Sequence, residues 1–326
     1  MKTQILKMLR MCKSYVSGQE MCEELGVSRT AIWKCMHQLK EEGYTIEAIS
    51  NKGYCLMGSP NTITDYEVKS RLLSLGIIDE LLYYEEIDST NNKAKQLGNE
   101  GDQRQLLLLA DVQTAGRGRR GRSWSNPKGT NIAMSYKLHP EIAPQNASRI
   151  TLVAALALVE TIRQVTGLEA KIKWPNDIVI NGHKVCGILT EMSSESDFIH
   201  YVVVGIGINV NGEEFPEEIK EIATSLFLQG EEKVDRAAIV VGVIKAFEKY
   251  YKLFLETEDL TSMMDQYNSF LVHNGHQVKI INGTDTLDGV AEGINKKGSL
   301  LVRLSDGTLK EVISGEVSVR GIYGYV

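Results

Sequence analysis

The stretch Glu24-Leu-Gly-Val-Ser-Arg-Thr-Ala-Ile-Trp-Lys34 decides how the first part of this 326-residue chain folds. Gly26 is a typical helix stop and Ser28 a typical helix cap, so two helices joined by a tight turn are expected here. With the residues before them, they predict three helices, at about 3–13, 18–25 and 29–42. A helix, a tight turn and a second helix are typical of DNA-binding proteins, in which the second helix enters the major groove.

A β-hairpin is expected after the third helix, because strand-like residues at 45–49 and 54–56 flank the turn Ser50-Asn-Lys-Gly53. Helices and hairpin together predict a winged helix-turn-helix domain over residues 1–62. A small helical dimerisation or protein-binding domain is the alternative, and the basic outer face of the third helix favours DNA. The residues expected near DNA are Ser28, Arg29, Thr30, Trp33 and Lys34.

Charge is unevenly distributed along the chain. Residues 1–60 carry eight Lys/Arg and six Asp/Glu, whereas the remainder carries 28 and 36, within a formal net charge of −6. A mildly basic unit attached to an acidic body is therefore expected, and the acidic body argues against nucleic-acid coating of the whole protein.

The apolar content of 43% and the charged content of 24% are typical of a globular protein. No apolar run approaches the roughly 18 residues of a membrane span, and no signal-peptide core is present at the N-terminus. The five scattered cysteines favour reduced thiols over disulfides or structural zinc, and no metal site is expected from the protein's own side chains. These features predict a soluble cytoplasmic protein with no membrane partner.

Two further units follow the winged helix. Residues 63–272 show short strands alternating with two strong helices, capped by Ser148 and Asp235, and predict a mixed, mainly antiparallel sheet covered by helices. Residues 273–326 show five brief strands separated by Asn-Gly, Lys-Gly and Asp-Gly turns, as in a small SH3-like β-barrel. The predicted fold class is α+β. His273 and His276 are expected to be ordinary residues of a polar loop.

The segment Gly116-Arg-Gly-Arg-Arg-Gly-Arg122, here called the arginine loop, has no acidic residue in its neighbourhood of sequence, from Val112 to Pro140. Arginines on a flexible backbone favour a polyanion, either nucleic acid or the phosphates of a nucleotide. A solvated basic loop and an RNA-binding glycine–arginine segment are the alternatives. A single aromatic residue, Trp124, and the absence of repeats favour a loop that closes over phosphates, although it is not a Walker loop.

Three further motifs carry polar or glycine residues in the middle unit. Asp88-Ser-Thr-Asn-Asn92 suits a capped helix start or a grip on a small polar ligand. Lys173-Trp-Pro-Asn-Asp177 is a turn, followed by an isolated Lys184 that is either an outward edge residue or a charge that neutralises a phosphate. Gly205-Ile-Gly-Ile-Asn209 lacks the third glycine of a dinucleotide fingerprint, so its glycines are expected to let a ligand lie against a strand.

Taken in order, these motifs resemble those of the biotin protein ligases. The resemblance includes Gln113-Thr-Ala before the arginine loop and Gly187-Ile-Leu after Lys184. Each motif is weak alone, whereas five in the same order and spacing are specific. The resemblance covers the middle and last units. The winged helix extends it to the bifunctional bacterial type, which is both biotin ligase and biotin operon repressor, and it implies a central fold similar to that of class II synthetases.

The resemblance implies a two-step reaction that uses biotin, ATP and Mg²⁺. Biotin and ATP give biotinyl-5′-AMP and pyrophosphate, and a lysine of a biotin carboxyl carrier domain then displaces AMP. The implied catalytic residues are Arg119, Lys184 and Asp177. The implied biotin contacts are Ser89, Thr90, Asn91, Gln113, Arg117, Gly118, Arg119 and Lys184. The implied ATP and adenylate contacts are Arg119, Arg122, Trp124, Lys173, Asn176 and Asn209.

The family also implies partners: the carrier domain of acetyl-CoA carboxylase and similar carboxylases, operator DNA, and a second copy of the chain when the adenylate is bound. A lipoate ligase is the nearest enzymatic rival because it shares the catalytic fold, and the arginine loop with Lys173-Trp-Pro-Asn-Asp177 favours biotin. A metabolite-sensing transcription factor without catalysis is the rival of another class. It would have little use for both Arg119 and Lys184.

Overall fold

The computed structural model describes residues 1–12, 14–282, 285–313 and 318–321. The α-helices in those residues are α1 Lys2–Met11, α2 Gly18–Leu25, α3 Arg29–Glu41, α4 Asp65–Ser70, α5 Thr90–Asn99, α6 Ile150–Thr166, α7 Leu226–Gly230, α8 Arg236–Thr257 and α9 Met264–Phe270. The first strands are β1 Thr45–Ile49, β2 Gly53–Gly58, β3 Glu80–Ile87, β4 Leu106–Gln113, β5 Ile132–Leu138, β6 Lys171–Lys173 and β7 Asp177–Ile180. The remaining strands are β8 His183–Ser194, β9 Ile199–Ile208, β10 Gln277–Asn282, β11 Asp285–Ile294, β12 Leu300–Leu304, β13 Leu309–Val312 and β14 Ser318–Gly321. Short 3₁₀ turns occupy Arg119–Gly121 and Pro144–Arg149.

The first unit is the winged helix-turn-helix that the sequence predicts. Ser17 and Ser28 cap α2 and α3 by accepting hydrogen bonds from backbone amides, and Gly26 ends α2 at a φ of 65°. Strands β1 and β2 pair antiparallel to form the wing. The first helix ends at Met11, two residues earlier than expected, and Lys13, the expected end, lies outside the described residues.

The central sheet has the strand order β3-β4-β5-β9-β8-β7-β6. Only the β3–β4 pair is parallel among the described strands, which confirms a mainly antiparallel sheet. Leu107 and Leu109 of β4 face the core with α6 and α8, whereas Leu106 and Leu108 face α5 on the opposite side. Burial on both faces is the reason for the continuous apolar run in β4.

The helix cap predicted at Ser148 is wrong. Residues Pro144–Arg149 form a 3₁₀ turn that runs directly into α6, so Arg149 at its start already has helical dihedrals and no side chain caps it. The cap predicted at Asp235 is confirmed, because its carboxylate accepts a hydrogen bond from the amide of Ala238 at 3.2 Å. Both helices are largely buried.

The last unit is an antiparallel sheet with the order β13-β12-β11-β10-β14. Its tight turns include Gly298 and Gly307, both at positive φ as expected for Lys-Gly and Asp-Gly turns. The turn predicted at Gly283 falls outside the described residues, and so does Val317, where the last predicted strand begins; the rest of that strand is β14. In the described part of the chain, no helix is long and apolar enough to span a membrane.

Candidate active site

One cavity of about 590 Å³ opens beside the central sheet. Every residue that the sequence predicts for ligand binding or catalysis in the middle unit lines it: Ser89, Thr90, Asn91, Gln113, Arg117, Gly118, Arg119, Arg122, Trp124, Lys173, Asn176, Asp177, Lys184 and Asn209. These residues come from segments that are distant in sequence. The sheet brings them together because the ends of β4 and β9 lie beside the beginning of β8.

A polar end of the cavity is built around the start of α5. Ser89 caps the helix, and the next residue, Thr90, donates from both its amide and its hydroxyl to the side-chain oxygen of Gln113, at 2.8 and 3.0 Å. Ser135, buried in β5, lies 2.7 Å from the hydroxyl of Thr90 and 2.7 Å from the amide oxygen of Asn91. These bonds fix the side chains, so the cavity presents a preorganised set of donors and acceptors.

The arginine loop is a small hairpin. Gly118 donates to the carbonyl of Arg122 at 2.7 Å, and Trp124 donates from its amide to the carbonyl of Gly116 at 2.9 Å. Arg117 and Arg122 are exposed at the cavity mouth, and Arg119 is half-buried. Lys128, just beyond the loop, has an ion partner despite its lack of acidic neighbours in sequence: it pairs with Glu85 of β3 at 2.6 Å.

A chain of polar contacts connects the arginine loop with the sheet. The guanidinium of Arg119 donates to the side-chain oxygen of Asn176 at 2.7 Å. Asn176 donates to Asp177 at 3.1 Å, and Asp177 forms an ion pair of 2.7 Å with Lys184. Lys184 is therefore a charged group held inside the cavity, and the outward edge position considered for it is wrong.

The wall opposite the arginine loop, here called the sheet floor, consists of residues 184–189 of β8 and 205–209 at the end of β9. A Cβ on Gly205 would lie 2.1 Å from the side-chain oxygen of Asn91, and one on Gly207 would lie 2.3 Å from the indole of Trp124. The space above both glycines is thus taken by protein side chains. Gly205 and Gly207 nevertheless line the cavity themselves, and that they let a ligand lie against the strand stays a prediction.

Trp124 has two properties that suit a ligand contact. Its indole lies 6.0 Å from the ammonium group of Lys184, measured to the ring centroid. Its indole N–H is buried and has no hydrogen-bond partner among the described residues. A buried donor without a partner is costly in a folded protein, so an acceptor at this position would be stabilising.

The far end of the cavity was not predicted from the sequence, apart from Asn209. Asn131 donates to the side-chain oxygen of Asn209 at 3.5 Å, and Asn209 donates to the carbonyl of Thr224 at 3.1 Å. Residues 212–216, with Ile219, Ile222 and Ala223, form the outer edge. This segment has no motif and little regular structure, so the sequence carries no signal for it.

The described residues contain no group of three or more His, Cys, Asp or Glu side chains that could hold a metal ion. Asp177, Glu213 and Glu214 nevertheless line the cavity. Mg²⁺ in nucleotide sites is usually held by one or two carboxylates together with substrate phosphates, so this donor set fits a magnesium–nucleotide complex.

The predicted DNA-binding residues lie on one exposed face of the first unit. Arg29, Thr30, Trp33 and Lys34 are exposed on α3, and Ser28 is its cap. Trp33 is 58% exposed, so most of its indole is accessible on this face. The guanidinium of Arg29 is hydrogen-bonded to Gln19 of α2, which orients it along this face.

Sequence comparison gives matches over all three units. Residues 83–209 match the model of the biotin/lipoate A/B protein ligase family. Residues 2–55 match a helix-turn-helix domain, and residues 273–320 match the biotin protein ligase C-terminal domain. The bifunctional ligase/repressor BirA of Bacillus subtilis is 38% identical over 307 residues, 94% of each chain.

The chain belongs to the biotin protein ligase family. The bifunctional ligase/repressor BirA of Escherichia coli is 30% identical, over 93% of this chain and 92% of that protein. A solved structure of the biotin protein ligase from Aquifex aeolicus, in complex with biotin and ATP, is similar with a TM-score of 0.66 and 33% identity. That structure covers 74% of this biotin protein ligase and 99% of its own chain.

Proposed function

We propose that this protein is an ATP-dependent biotin–[carboxyl carrier protein] ligase and a biotin-responsive repressor. In the first step an oxygen of the biotin carboxylate attacks the α-phosphorus of ATP, and pyrophosphate leaves, giving biotinyl-5′-AMP. In the second step a carrier lysine attacks the carbonyl carbon of this mixed anhydride, and AMP leaves. The observation that carries the proposal is the cavity that brings Arg119, Asn176, Asp177 and Lys184 together.

The proposed roles follow from charge and position. Lys184 on the sheet floor would neutralise the negative charge that develops between the carboxylate and the α-phosphate, a common source of catalysis in phosphoryl and acyl transfer. Asp177, its ion partner, would help to deprotonate the acceptor amine. Arg119 would hold the adenylate from the loop side, with Arg117, Gly118 and Arg122 closing over it.

The nucleotide would occupy the end of the cavity with Asn209. Lys173, Asn176 and Trp124 would contact the adenylate between this end and the biotin. When bound, Mg²⁺ would neutralise phosphate charge. Glu213 and Glu214 are the carboxylates of the cavity that would hold it or its waters.

The polar end of the cavity favours biotin over lipoate. The ureido group of biotin has N–H donors and a carbonyl acceptor, which complement Thr90, Asn91 and Gln113 together with Ser89. The dithiolane of lipoate has neither, so it would form none of these hydrogen bonds with the polar end of the cavity. A site built to hydrogen-bond its ligand strongly disfavours an analogue without those groups.

The repressor half of the proposal rests on the exposed face of α3 and on the bifunctional relatives. Operator DNA would contact Ser28, Arg29, Thr30, Trp33 and Lys34. We further propose that the adenylate-bound protein pairs into a homodimer, since dimeric readers bind two half-sites. The carrier domains of acetyl-CoA carboxylase and similar carboxylases are the proposed protein substrates, the cytoplasm is the proposed location, and 1–62, 63–272 and 273–326 are the proposed domains.

The ligase activity is tested by incubating the purified protein with labelled biotin, ATP, Mg²⁺ and a biotin carboxyl carrier domain. We expect covalent label on the carrier, with no label when ATP is omitted or when the acceptor lysine of the carrier is replaced by arginine. Lipoate in place of biotin should give no product. Transfer of lipoate but not of biotin would contradict the substrate assignment, and no transfer of either would contradict the ligase proposal.

The DNA-binding half is tested separately with the variants Trp33→Ala and Lys34→Met, whose side chains are exposed. Both should weaken binding to the operator upstream of biotin synthesis genes, and Lys34→Met should also reduce the salt dependence of binding by about one unit of slope. Biotin transfer should be unchanged in both. Operator binding equal to that of the wild type would contradict the assignment of α3.

A further inference from the structure

Two charged side chains are fully buried between the first unit and the central sheet. Glu67 of α4 is 0% exposed and Arg236, the first residue of α8, is 2% exposed. Neither lines the cavity or lies on the DNA-binding face. Burial of a charge is costly unless it is paired and hydrogen-bonded, so the partners of these two residues show which segments they hold together.

Glu67 fastens the first unit to α4. Its carboxylate accepts hydrogen bonds from Arg10 of α1 at 2.8 Å and from the hydroxyl of Tyr44 at 2.6 Å. Arg71, one turn further along, donates to the same carboxylate at 2.8 Å. Burial and this contact raise the pKa of Tyr44 above its ordinary value, so Tyr44 is a neutral donor. The DNA-binding unit is therefore docked by a satisfied buried carboxylate.

Arg71 connects this cluster with α8. Its guanidinium also forms an ion pair with Asp235, the residue that caps α8. Burial alone would lower the pKa of Arg71. The hydrogen bond to Asp235 and the charge of Glu67 outweigh it, so the pKa lies above its ordinary value. Arg71 is thus a cation shared by the carboxylates of Glu67 and Asp235. The residue that follows Asp235 is the buried Arg236.

Arg236 holds the linker that joins the two units. Its side-chain nitrogens donate to the side-chain oxygen of Asn61 at 3.3 Å and to the carbonyl of Asn61 at 2.8 Å. The amide of Arg236 donates to the same side-chain oxygen at 3.1 Å. Asn61 in turn donates to the carbonyl of Val234 at 2.7 Å. Asn61 of the linker is therefore bound, through its side chain and its carbonyl, to Val234 and Arg236 at the beginning of α8.

The same guanidinium supports the nucleotide end of the cavity. It donates to Asp111 at 2.7 Å and to the carbonyl of Asn131 at 2.9 Å. The side chain of Asn131 accepts from the amide of Val210 at 3.2 Å and contacts Asn209 at 3.5 Å. Asn131 and Asn209 both line the cavity. A displacement of Arg236 would therefore move the linker and the wall of the nucleotide site together.

We infer that Arg236 is a positioning residue shared by the linker and the nucleotide end of the cavity, so that adenylate binding and docking of the DNA-binding unit strengthen each other. This inference rests on the proposed ligase function. Coupling between two sites is reciprocal, so a change at the linker alters adenylate retention, and the adenylate alters the linker. The coupling passes through contacts that are continuous from Asn61 to Asn209.

The test uses the full-length variant Asn61→Ala. Asn61 is exposed and lies outside the cavity, so the variant is expected to fold. With biotinyl-5′-adenylate formed from biotin and ATP on the enzyme, release should be about fivefold faster than in the wild type. Hydrogen exchange over residues 61–72 should slow on adenylate binding in the wild type and much less in the variant.

Two further variants separate coupling from general destabilisation. Asn61→Asp keeps the oxygen that Arg236 contacts, so it should retain most of the adenylate-dependent protection. Lys252→Met removes an exposed ion pair with Glu248 on the same helix and should change neither measurement.

The outcomes distinguish the inference from the function on which it rests. Wild-type release and exchange in Asn61→Ala, or reduced thermal stability with unchanged release, would overturn the inference alone. A wild-type protein that forms no adenylate would overturn the proposed function, and the inference with it.

Discussion

The two walls of the cavity are built in different ways. The sheet floor lies in the middle of a seven-stranded sheet, where β8 and β9 are paired along almost their whole length and β9 is buried from Tyr201 onward. The arginine loop is a short hairpin at the cavity mouth, with Arg117 and Arg122 exposed to solvent and Arg119 bonded to Asn176. The floor is therefore preorganised, whereas much of the loop is open to solvent and free to respond to a ligand.

This difference indicates a division of roles. Catalytic charge is most effective when it does not have to reorganise, which suits Lys184 on the floor. Retention of a bound intermediate requires a group that admits the ligand and then closes over it, which suits glycine-separated arginines. We therefore expect changes in the floor to reduce chemistry or stability, and changes in the loop to increase release.

The largest effect is expected for Lys184→Met. The substitution keeps much of the side-chain volume and removes the charge next to Asp177, so the rate of adenylate formation should fall between about 100- and 1,000-fold. Single-turnover pyrophosphate release measures this rate. Lys128→Met, which removes an exposed ion pair outside the cavity, is the matched control and should leave the rate unchanged. A decrease of less than about threefold would exclude a catalytic role for Lys184.

A smaller effect, on the stability of the fold, is expected at the segment that bonds to β6. There the amide of Val272 donates to the carbonyl of Ile172 at 2.9 Å. The neighbouring His273 is 2% exposed, which corrects its assignment to an ordinary polar loop. Burial, with the charges of Lys173 and His276, lowers its pKa to about 4. A histidine in the unfolded chain has a pKa near 6.5. Above that pH His273 is neutral in both the folded and the unfolded state, so its burial costs no stability through protonation.

As the pH falls from about 6.5 to 4, protonation of the unfolded state should remove about 3 kcal/mol of the free energy of unfolding. Denaturant titrations at several pH values measure this loss. It should be absent in His273→Gln and present in His276→Gln, whose histidine is exposed. Identical pH dependence in wild type and His273→Gln would show that His273 does not carry the effect.

The smallest effect is expected for Gly207→Ala. A Cβ here would lie 2.3 Å from the indole of Trp124, so the ring must shift away from the floor. We expect the affinity for the adenylate to fall about tenfold, which corresponds to about 1.4 kcal/mol. Equilibrium binding followed by tryptophan fluorescence measures it. Gly129→Ala provides a contrast, because its Cβ would meet no atom, although its positive φ adds backbone strain. Unchanged affinity in Gly207→Ala would show that the position of Trp124 is unimportant.

Much of the fold and most of the cavity could be predicted from the sequence, because the informative residues are local signals. Ser28 and Gly26 mark helix ends by their own backbone chemistry, and the arginine loop stands out by composition. Strand β5 was not predicted, although Ile132, Met134 and Tyr136 alternate with small or polar residues, as the residues of a strand with one core-facing side do. The supposed cap at Ser148 failed because a 3₁₀ turn leads into the helix there.

The remainder depends on tertiary contacts that no local pattern carries. Asn131, Ser135 and Arg236 are buried polar residues, and the partners of these hydrogen bonds lie between 44 and 175 residues away in sequence. The segment that forms the outer edge of the nucleotide end has neither regular structure nor a motif. Such residues can be assigned only after the sheet is assembled.

The most direct test of the division between floor and loop is the release of preformed biotinyl-5′-adenylate from Arg119→Gly, measured beside its rate of formation. We expect release to be accelerated about tenfold or more while formation changes by less than about threefold, because the Arg119 guanidinium holds the intermediate and Lys184 remains in place. Release at the wild-type rate, or a loss of formation as large as that in Lys184→Met, would contradict this division of roles.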